Sequence, residues 1–261
     1  MQHSSSYFLH PWTRWSLALL CVLPAQIARA APRPLASQAV PATVRLRAPL
    51  RYEQTYSASC EAAAVHIALH MRGVDVSERR LIAALPVDRR LPDVGPDGAV
   101  VAWGDPYRAF VGDITRGDHW PLVGYGVYAP PILSLVRREG MGGSFGGSGL
   151  TLGTLRRALA AGHPVIVWVP KLSLYRWALV RRTWRAWDGR LITWNQNEHA
   201  QVLVGYDASG FWLDNPDYTY RSEGQWLWHY TTAQFTAGWA VLGNQAVVVA
   251  RGHRTALRRG R

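Results

Sequence analysis

The sequence predicts an α+β fold in two lobes, an N-terminal helical lobe followed by a C-terminal antiparallel sheet, and three observations predict it. Helix-forming stretches with caps and glycine stops fill the first half of the chain. After residue 162 the apolar period changes to short β-branched and aromatic runs bounded by turn residues. Most of these runs follow one another without intervening helices, which disfavours a doubly wound parallel sheet. Composition agrees that the chain folds: 13 Trp, 11 Tyr and 5 Phe among 261 residues supply enough apolar area to offset the entropy of ordering the backbone. Two cysteines exclude both a disulfide scaffold and a four-thiolate zinc site.

Residues 1–30 read as a secretory signal. Arg14 precedes the apolar run Trp15 to Pro24, and the small-x-small triplet Ala28-Arg29-Ala30 sets cleavage before Ala31. The run is about half of the ~20 residues a membrane-crossing helix needs, so no transmembrane anchor is expected after cleavage. Cys21 is lost with this segment, which leaves Cys60 as the one cysteine of an exported chain. Residues 31–50, rich in Pro, Ala and Arg, form a linker or lead-in strand, and 51–250 form the folded domain.

Within that domain, CEAAAVHIALHM from Cys60 to Met71 favours a helix, with Ser57 or Ser59 as cap and Gly73 as stop. A second helix covers Glu78 to Leu85 and ends at Pro86. Residues 88–131 read as mostly irregular, and GMGGSFGGSG from Gly140 to Gly149 as a flexible loop walling a cleft. Thr151 or Gly153 opens a helix ending near Gly162. Strands follow at Pro164 to Val169, on either side of the Asp188-Gly189 turn, in AQVLVGY, in FWLD and in QAVVVA.

The net charge of +12 is weak information. Lys171 is the only lysine, so arginine usage reflects compositional bias. The tail 251–261 can rest on an anionic envelope polymer or be simply solvated. With an export signal and no nucleic-acid motif, nucleic acid is not an expected partner.

A thiol outside the cytoplasm with no partner invites two readings, nucleophile or inert core group. Cys60 opens a helix, where amide dipoles favour a thiolate. His199 starts an apolar strand, and the next strand ends in Asp214 and Asn215, so two adjacent strands can bring an imidazole and an orienting acceptor to the sulfur. Gln54, six residues before Cys60, can offer its carboxamide to an oxyanion together with the Cys60 amide.

QTYSASCEAAAVHIAL, WGDPYRAFVGD, GYGVYAPP, AGHPVIVWV and EHAQVLVGYD, in this order over about residues 50–240, resemble the secreted stand-alone relatives of the double-glycine peptidases. These are papain-like cysteine peptidases best known for trimming bacteriocin leaders. The resemblance implies a papain-like two-lobed fold and peptide-bond hydrolysis by a Cys–His–Asp triad with a glutamine oxyanion hole, matching Cys60, His199 and Gln54. The third member departs. The family's aspartate usually precedes a proline, and here Asn215 precedes Pro216 with Asp214 one residue earlier. Adjacent strand residues face opposite ways, and asparagine serves in papain-type enzymes, so Asn215 is favoured over Asp214. Glu61 replaces a common glycine and opposes thiolate formation.

The expected substrate is a peptide or protein outside the cytoplasm, with no cofactor and no metal. Two other readings stand beside it: a silent papain-like module that binds peptide or envelope polymer, and a thiol acyltransferase. His66 and His70 have metal-ligand spacing, but Ile67 replaces the glutamate of zinc hydrolases and packing explains them better. Trp177, Trp184, Trp187 and Trp194, interspersed with Arg181, Arg182 and Arg185, are either a stacking groove or core. Asp105, Asp113 and Tyr125 are assigned to turns and packing.

Overall fold

The computed structural model describes residues 40–47, 49–117, 122–171, 179–217 and 225–252. Residues 1–30, expected to be a secretory signal, Trp177 and the tail beyond Gly252 lie outside the described residues. Every element below lies within the unit 39–261.

The main sheet has seven strands. In chain order they are β1 (Val44–Arg45), β7 (Phe145–Gly147), β8 (Val165–Trp168), β11 (Ala200–Tyr206), β12 (Gly210–Asp214), β13 (Leu227–Thr231) and β14 (Ala246–Val248). They lie in the order β13-β12-β11-β8-β14-β7, with β1 also on β11. Every pair in this sheet is antiparallel. The period of two sorts its side chains onto two faces. Ile166, Trp168, Ala200, Val202, Val204 and Val247 enter one core; Val165, Val167, Leu203, Leu213, Ala246 and Val248 enter the other.

Helix α1 (Cys60–His70) packs on the first face and is buried along nearly its whole length. Its alanine-rich sequence has no polar stripe, as a helix enclosed on all sides requires. It ends where predicted, with Gly73 at φ +70° just beyond it. Helix α2 (Glu78–Ala84) packs on α1, capped by the Ser77 side chain, which accepts from the Arg80 N–H. The second face of the sheet carries α4 (Leu152–Ala160), capped by Thr151, and α5 (Thr232–Val241). The result is the α+β, papain-like arrangement: helices flank an antiparallel sheet whose β11 and β8 run under the start of α1. Among the described residues no helix is long and apolar enough to cross a membrane.

Two expectations need correction. Residues 88–131 are not mostly irregular. They hold β3 (Asp93–Val94), β4 (Val100–Trp103), β5 (Phe110–Gly112), β6 (Gly124–Gly126) and the first part of α3 (Ala129–Arg138), with β2 (Val87–Asp88) overlapping their start. These strands build two small sheets: β2-β5-β6, and β10-β9-β4-β3 with the hairpin β9 (Arg182–Ala186) and β10 (Leu191–Trp194). The Pro130-Pro131 pair opens α3 instead of forbidding it, because the first helical turn needs no intrahelical N–H donors. The glycine run is not wholly a loop: Phe145–Gly147 form β7 at the sheet edge, and Gly146 lies so close to β14 that a Cβ there would sit 2.3 Å from the Ala246 carbonyl. Of the two readings of residues 31–50, linker or lead-in strand, the described part holds the short strand β1 paired with β11.

Trp103, Trp184, Trp194 and Tyr125 form one buried aromatic cluster, with ring centroids 4.9–5.8 Å apart. The Trp184 indole N–H donates to the Gly104 carbonyl. Trp184 and Trp194 are therefore core. Trp187 is at the surface under the Arg90 guanidinium. His66 spends Nδ1 on the Val76 carbonyl and packs on Tyr52, while His70 is exposed, so the pair does not converge. Asp105 and Asp113 close local turns onto the Tyr107 and Thr115 N–H groups.

Candidate active site

Cys60 is the first residue of α1 and is 4% exposed. The preceding turn is held by Ser59, whose hydroxyl donates to the Tyr56 carbonyl and accepts from the Tyr56 N–H. The Ala58 N–H bonds to the Ile114 carbonyl, which fixes this loop to the segment after β5.

β11 delivers the second group. The Ala200 N–H donates to Cys60 Sγ at 3.4 Å, so the residue that follows His199 touches the sulfur. The His199 ring places Nε2 2.6 Å from Asn215 Oδ1. The same Oδ1 accepts from the Asp217 N–H at 3.0 Å, and Nδ2 donates to the Asp217 carbonyl at 3.3 Å. A backbone N–H can only donate, so the Asp217 contact fixes Oδ1 as the acceptor end of the amide. Nε2 then carries the hydrogen, and Nδ1 is the basic nitrogen of the neutral ring. Asp217 also pairs with Lys171 Nζ at 2.6 Å. The chain His199, Asn215, Asp217, Lys171 is thus continuous.

Asp214 has a different place. It is the last residue of β12, opposite Val202 in register, and cross-strand partners share a face. It therefore points with Val202 toward the α1 side, is 0% exposed, and neither carboxyl oxygen has a hydrogen-bond partner among the described residues. Burial pushes its carboxyl up to about 8. The imidazole bonds to Asn215 and not to Asp214, because successive residues of an extended chain face opposite ways, and Asp214 is turned toward the α1 side.

Gln54 is tied to the same region: its N–H donates to the Pro216 carbonyl. Its carboxamide Nε2 donates to the Tyr56 and Ser57 carbonyls at 2.8 and 3.0 Å, and Oε1 is buried with no partner among the described residues. In this arrangement both carboxamide protons serve the loop before Cys60.

Two buried carboxyl groups complete the site. Glu61 Oε2 accepts from the Cys60 thiol at 3.4 Å, and Oε1 accepts from the Val127 N–H. Glu198 approaches from the turn into β11, and Cys60 Sγ, a Glu61 oxygen and a Glu198 oxygen lie within 4.8 Å of one another. Gly126 makes this possible. A Cβ there would lie 2.6 Å from Glu61 Oε1 and 2.8 Å from Glu198 Oε2. Burial raises Glu61 to about 7. Burial first, then the charges of Glu61 and Glu198, push the Cys60 thiol well up, opposite to the helix-dipole expectation. A dipole's half charge at a helix start is outweighed by desolvation and two neighbouring carboxylates. Glu61 was visible in the sequence as an opposing charge. Glu198, Gly126 and the Lys171–Asp217 pair were not singled out, although Glu198 adjoins His199 and Gly126 lies in GYGVYAPP.

The chain is similar to known proteins as follows. A family model described as the Peptidase_C39 like family matches residues 38–247. A crystal structure from Bacillus anthracis described as C39-like superposes with a TM-score of 0.66 at 22% identity, covering 80% of this chain and 98% of that one. Xylellain, a cysteine protease from Xylella fastidiosa, aligns at 16% identity over 82% of this chain and 87% of its own, with a TM-score of 0.43. No curated protein matches the chain.

Proposed function

The chain belongs to the C39-like peptidase family, and on that premise we propose that it is an exported cysteine peptidase with Cys60 as nucleophile, His199 as general acid and base, and Asn215 as the group that orients the imidazole. The observation that carries this reading is the His199–Asn215 hydrogen bond beside the Ala200–Cys60 contact. Asn215 keeps the hydrogen on Nε2, so Nδ1 accepts the thiol proton, the sulfur attacks the scissile carbonyl, and His199 returns the proton to the leaving amine. Water activated by the same ring then releases the acyl group. The Cys60 amide and Gln54 stabilise the oxyanion once one Gln54 proton leaves its loop carbonyl for the substrate oxygen.

Substrates are peptides or proteins outside the cytoplasm, reached after cleavage before Ala31. Mass analysis of the protein recovered from the medium or periplasm reads the first claim directly: an N-terminus other than Ala31 contradicts it. For the activity, a peptide library is incubated with the wild type and with Cys60→Ala. Loss of all cleavage in the variant supports the peptidase, and unchanged cleavage overturns it. The nearly enclosed, proton-bearing thiol favours one rival, a silent module that binds peptide without cleaving it. That rival predicts saturable peptide binding with no turnover by either protein. An acyltransferase would instead show products joined to an added amine.

A further inference from the structure

Around the Cys60 sulfur the structure gathers more negative charge than a cysteine nucleophile needs. Glu61 comes from α1 itself, Glu198 from the turn before β11, and both press on the bare backbone of Gly126. The other titratable groups facing them are His199 beside Glu198, and Tyr125 and Tyr128, whose hydroxyls bond to each other at 2.7 Å. Lys171, after β8, bears on both Cys60 and Glu61 and is itself bonded to Asp217. A reactive thiolate adds one negative charge to this enclosure. With Glu61 and Glu198 both ionised it would be the third negative charge within 4.8 Å, with Lys171 and an imidazolium as the nearby cations.

We propose that Glu61 is a positioning residue that holds one proton on behalf of the Glu61–Glu198 pair, and that this proton decides whether Cys60 rests as a thiol or as a thiolate. The proposal rests on the peptidase reading only for its consequence in catalysis. Its geometric basis is the 3.4 Å contact between Sγ and Glu61 Oε2, whose sense depends on protonation. An ionised Glu61 can only accept, so it holds the S–H proton and blocks the nucleophile. A protonated Glu61 can turn its O–H to the sulfur and donate, so it stabilises the thiolate after His199 Nδ1 takes the thiol proton. Oε1 stays with the Val127 N–H in both states. The carboxyl is raised by burial to about 7, which sets the change of sense near neutral pH. The nucleophile is therefore favoured on the acid side of neutrality and suppressed above it.

The test is the pH dependence of Cys60 alkylation by iodoacetamide, followed by mass spectrometry of the tryptic peptide, in the wild type, Glu61→Gln and Glu198→Gln. In Glu61→Gln the carboxamide can accept from the Val127 N–H and donate to the sulfur at every pH. This variant is expected to shift the Cys60 titration about one unit lower, so that alkylation at pH 8 is ~10-fold faster. In Glu198→Gln the remaining carboxyl ionises more easily, and the suppression of alkylation begins at lower pH than in the wild type. A Glu61→Gln profile that overlays the wild type, or is slower throughout, overturns the proposal. If that variant does not fold, an unshifted Glu198→Gln profile does the same. The readout separates the two claims: shifted alkylation without peptide cleavage sinks the peptidase reading and leaves the proton pair standing, whereas unshifted alkylation with Cys60-dependent cleavage does the reverse.

Discussion

Replacing Asn215 by alanine removes one acceptor from the imidazole and leaves everything else around the sulfur in place. Asn215 Oδ1 receives the His199 Nε2–H at 2.6 Å and the Asp217 N–H at 3.0 Å. A hydrogen bond of this kind contributes a net ~1 kcal/mol, and about 1.4 kcal/mol is tenfold in rate or population. Losing the bond frees the ring to take the wrong tautomer and to rotate away from Cys60, two penalties that multiply. We expect kcat/KM to fall ~10- to 100-fold, well short of the complete loss in Cys60→Ala. Asn215→Asp keeps an acceptor for both donors and should lie within about threefold of the wild type, since only the weaker 3.3 Å donation to the Asp217 carbonyl is lost. The assay is steady-state cleavage of the best peptide from the library. Asn215→Ala within twofold of the wild type, or Asp214→Asn as damaging as Asn215→Ala, would refute the assignment of the third group.

Three further outcomes follow from the same coordinates. Asp214 is protonated in the folded protein up to about pH 8, whereas its ordinary value is 3.8; the unfolded chain therefore releases this proton at lower pH, and its contribution to stability is full below about pH 4 and lost as pH rises toward 8. Asp214→Asn should thus be more stable than the wild type at pH 8, on the order of a few kcal/mol, and equal to it near pH 4; urea midpoints at the two values check this, and a variant less stable at pH 8 contradicts it. Gly126→Ala drives a methyl group to 2.6 and 2.8 Å from two buried carboxylate oxygens, and should cost about 1–3 kcal/mol as read from the denaturant midpoint; a stability equal to the wild type would mean the carboxyl groups move aside freely. Trp184→Ala removes a ring packed among Trp103, Tyr125 and Trp194 and should cost about 3–5 kcal/mol, whereas a stacking groove would lose peptide affinity with little change in stability.

The sequence exposed the elements that repeat a simple period and concealed those that do not. β8 and β14 are unbroken apolar runs, β11 and β12 carry one polar side chain each, and all four are buried on both faces apart from the half-buried Trp212; each was legible as a strand. The hairpin was legible because Gly189, at φ +86°, takes the turn position that only glycine adopts easily. β2, β3, β5 and β6 are two or three residues long, too short for any alternation to show. α5 has a capping box between Thr231 and Gln234, a signal present in the sequence but hidden by the strand-rich run around it. At the site, Cys60, His199 and Asn215 could be selected as chemistry-bearing groups at the ends of predicted elements. The alternation of an extended chain puts Asp214 and Asn215 on opposite faces, which was legible, whereas the anchoring of Asn215 by the Asp217 backbone was not. The approach of Glu198 to Glu61 depends on Gly126, a contact between distant parts of the chain, visible only once β6 and β11 lie beside α1.

The most direct test of the account is to trap its covalent intermediate. Wild-type protein is mixed with an excess of a cleaved peptide, quenched in acid within the first turnovers, and digested for mass spectrometry. The account predicts that the tryptic peptide containing Cys60 gains the mass of the substrate's acyl half, and that the gain is absent in Cys60→Ala. Cleavage that proceeds with no acyl adduct at Cys60, or with the adduct on another residue, would contradict it.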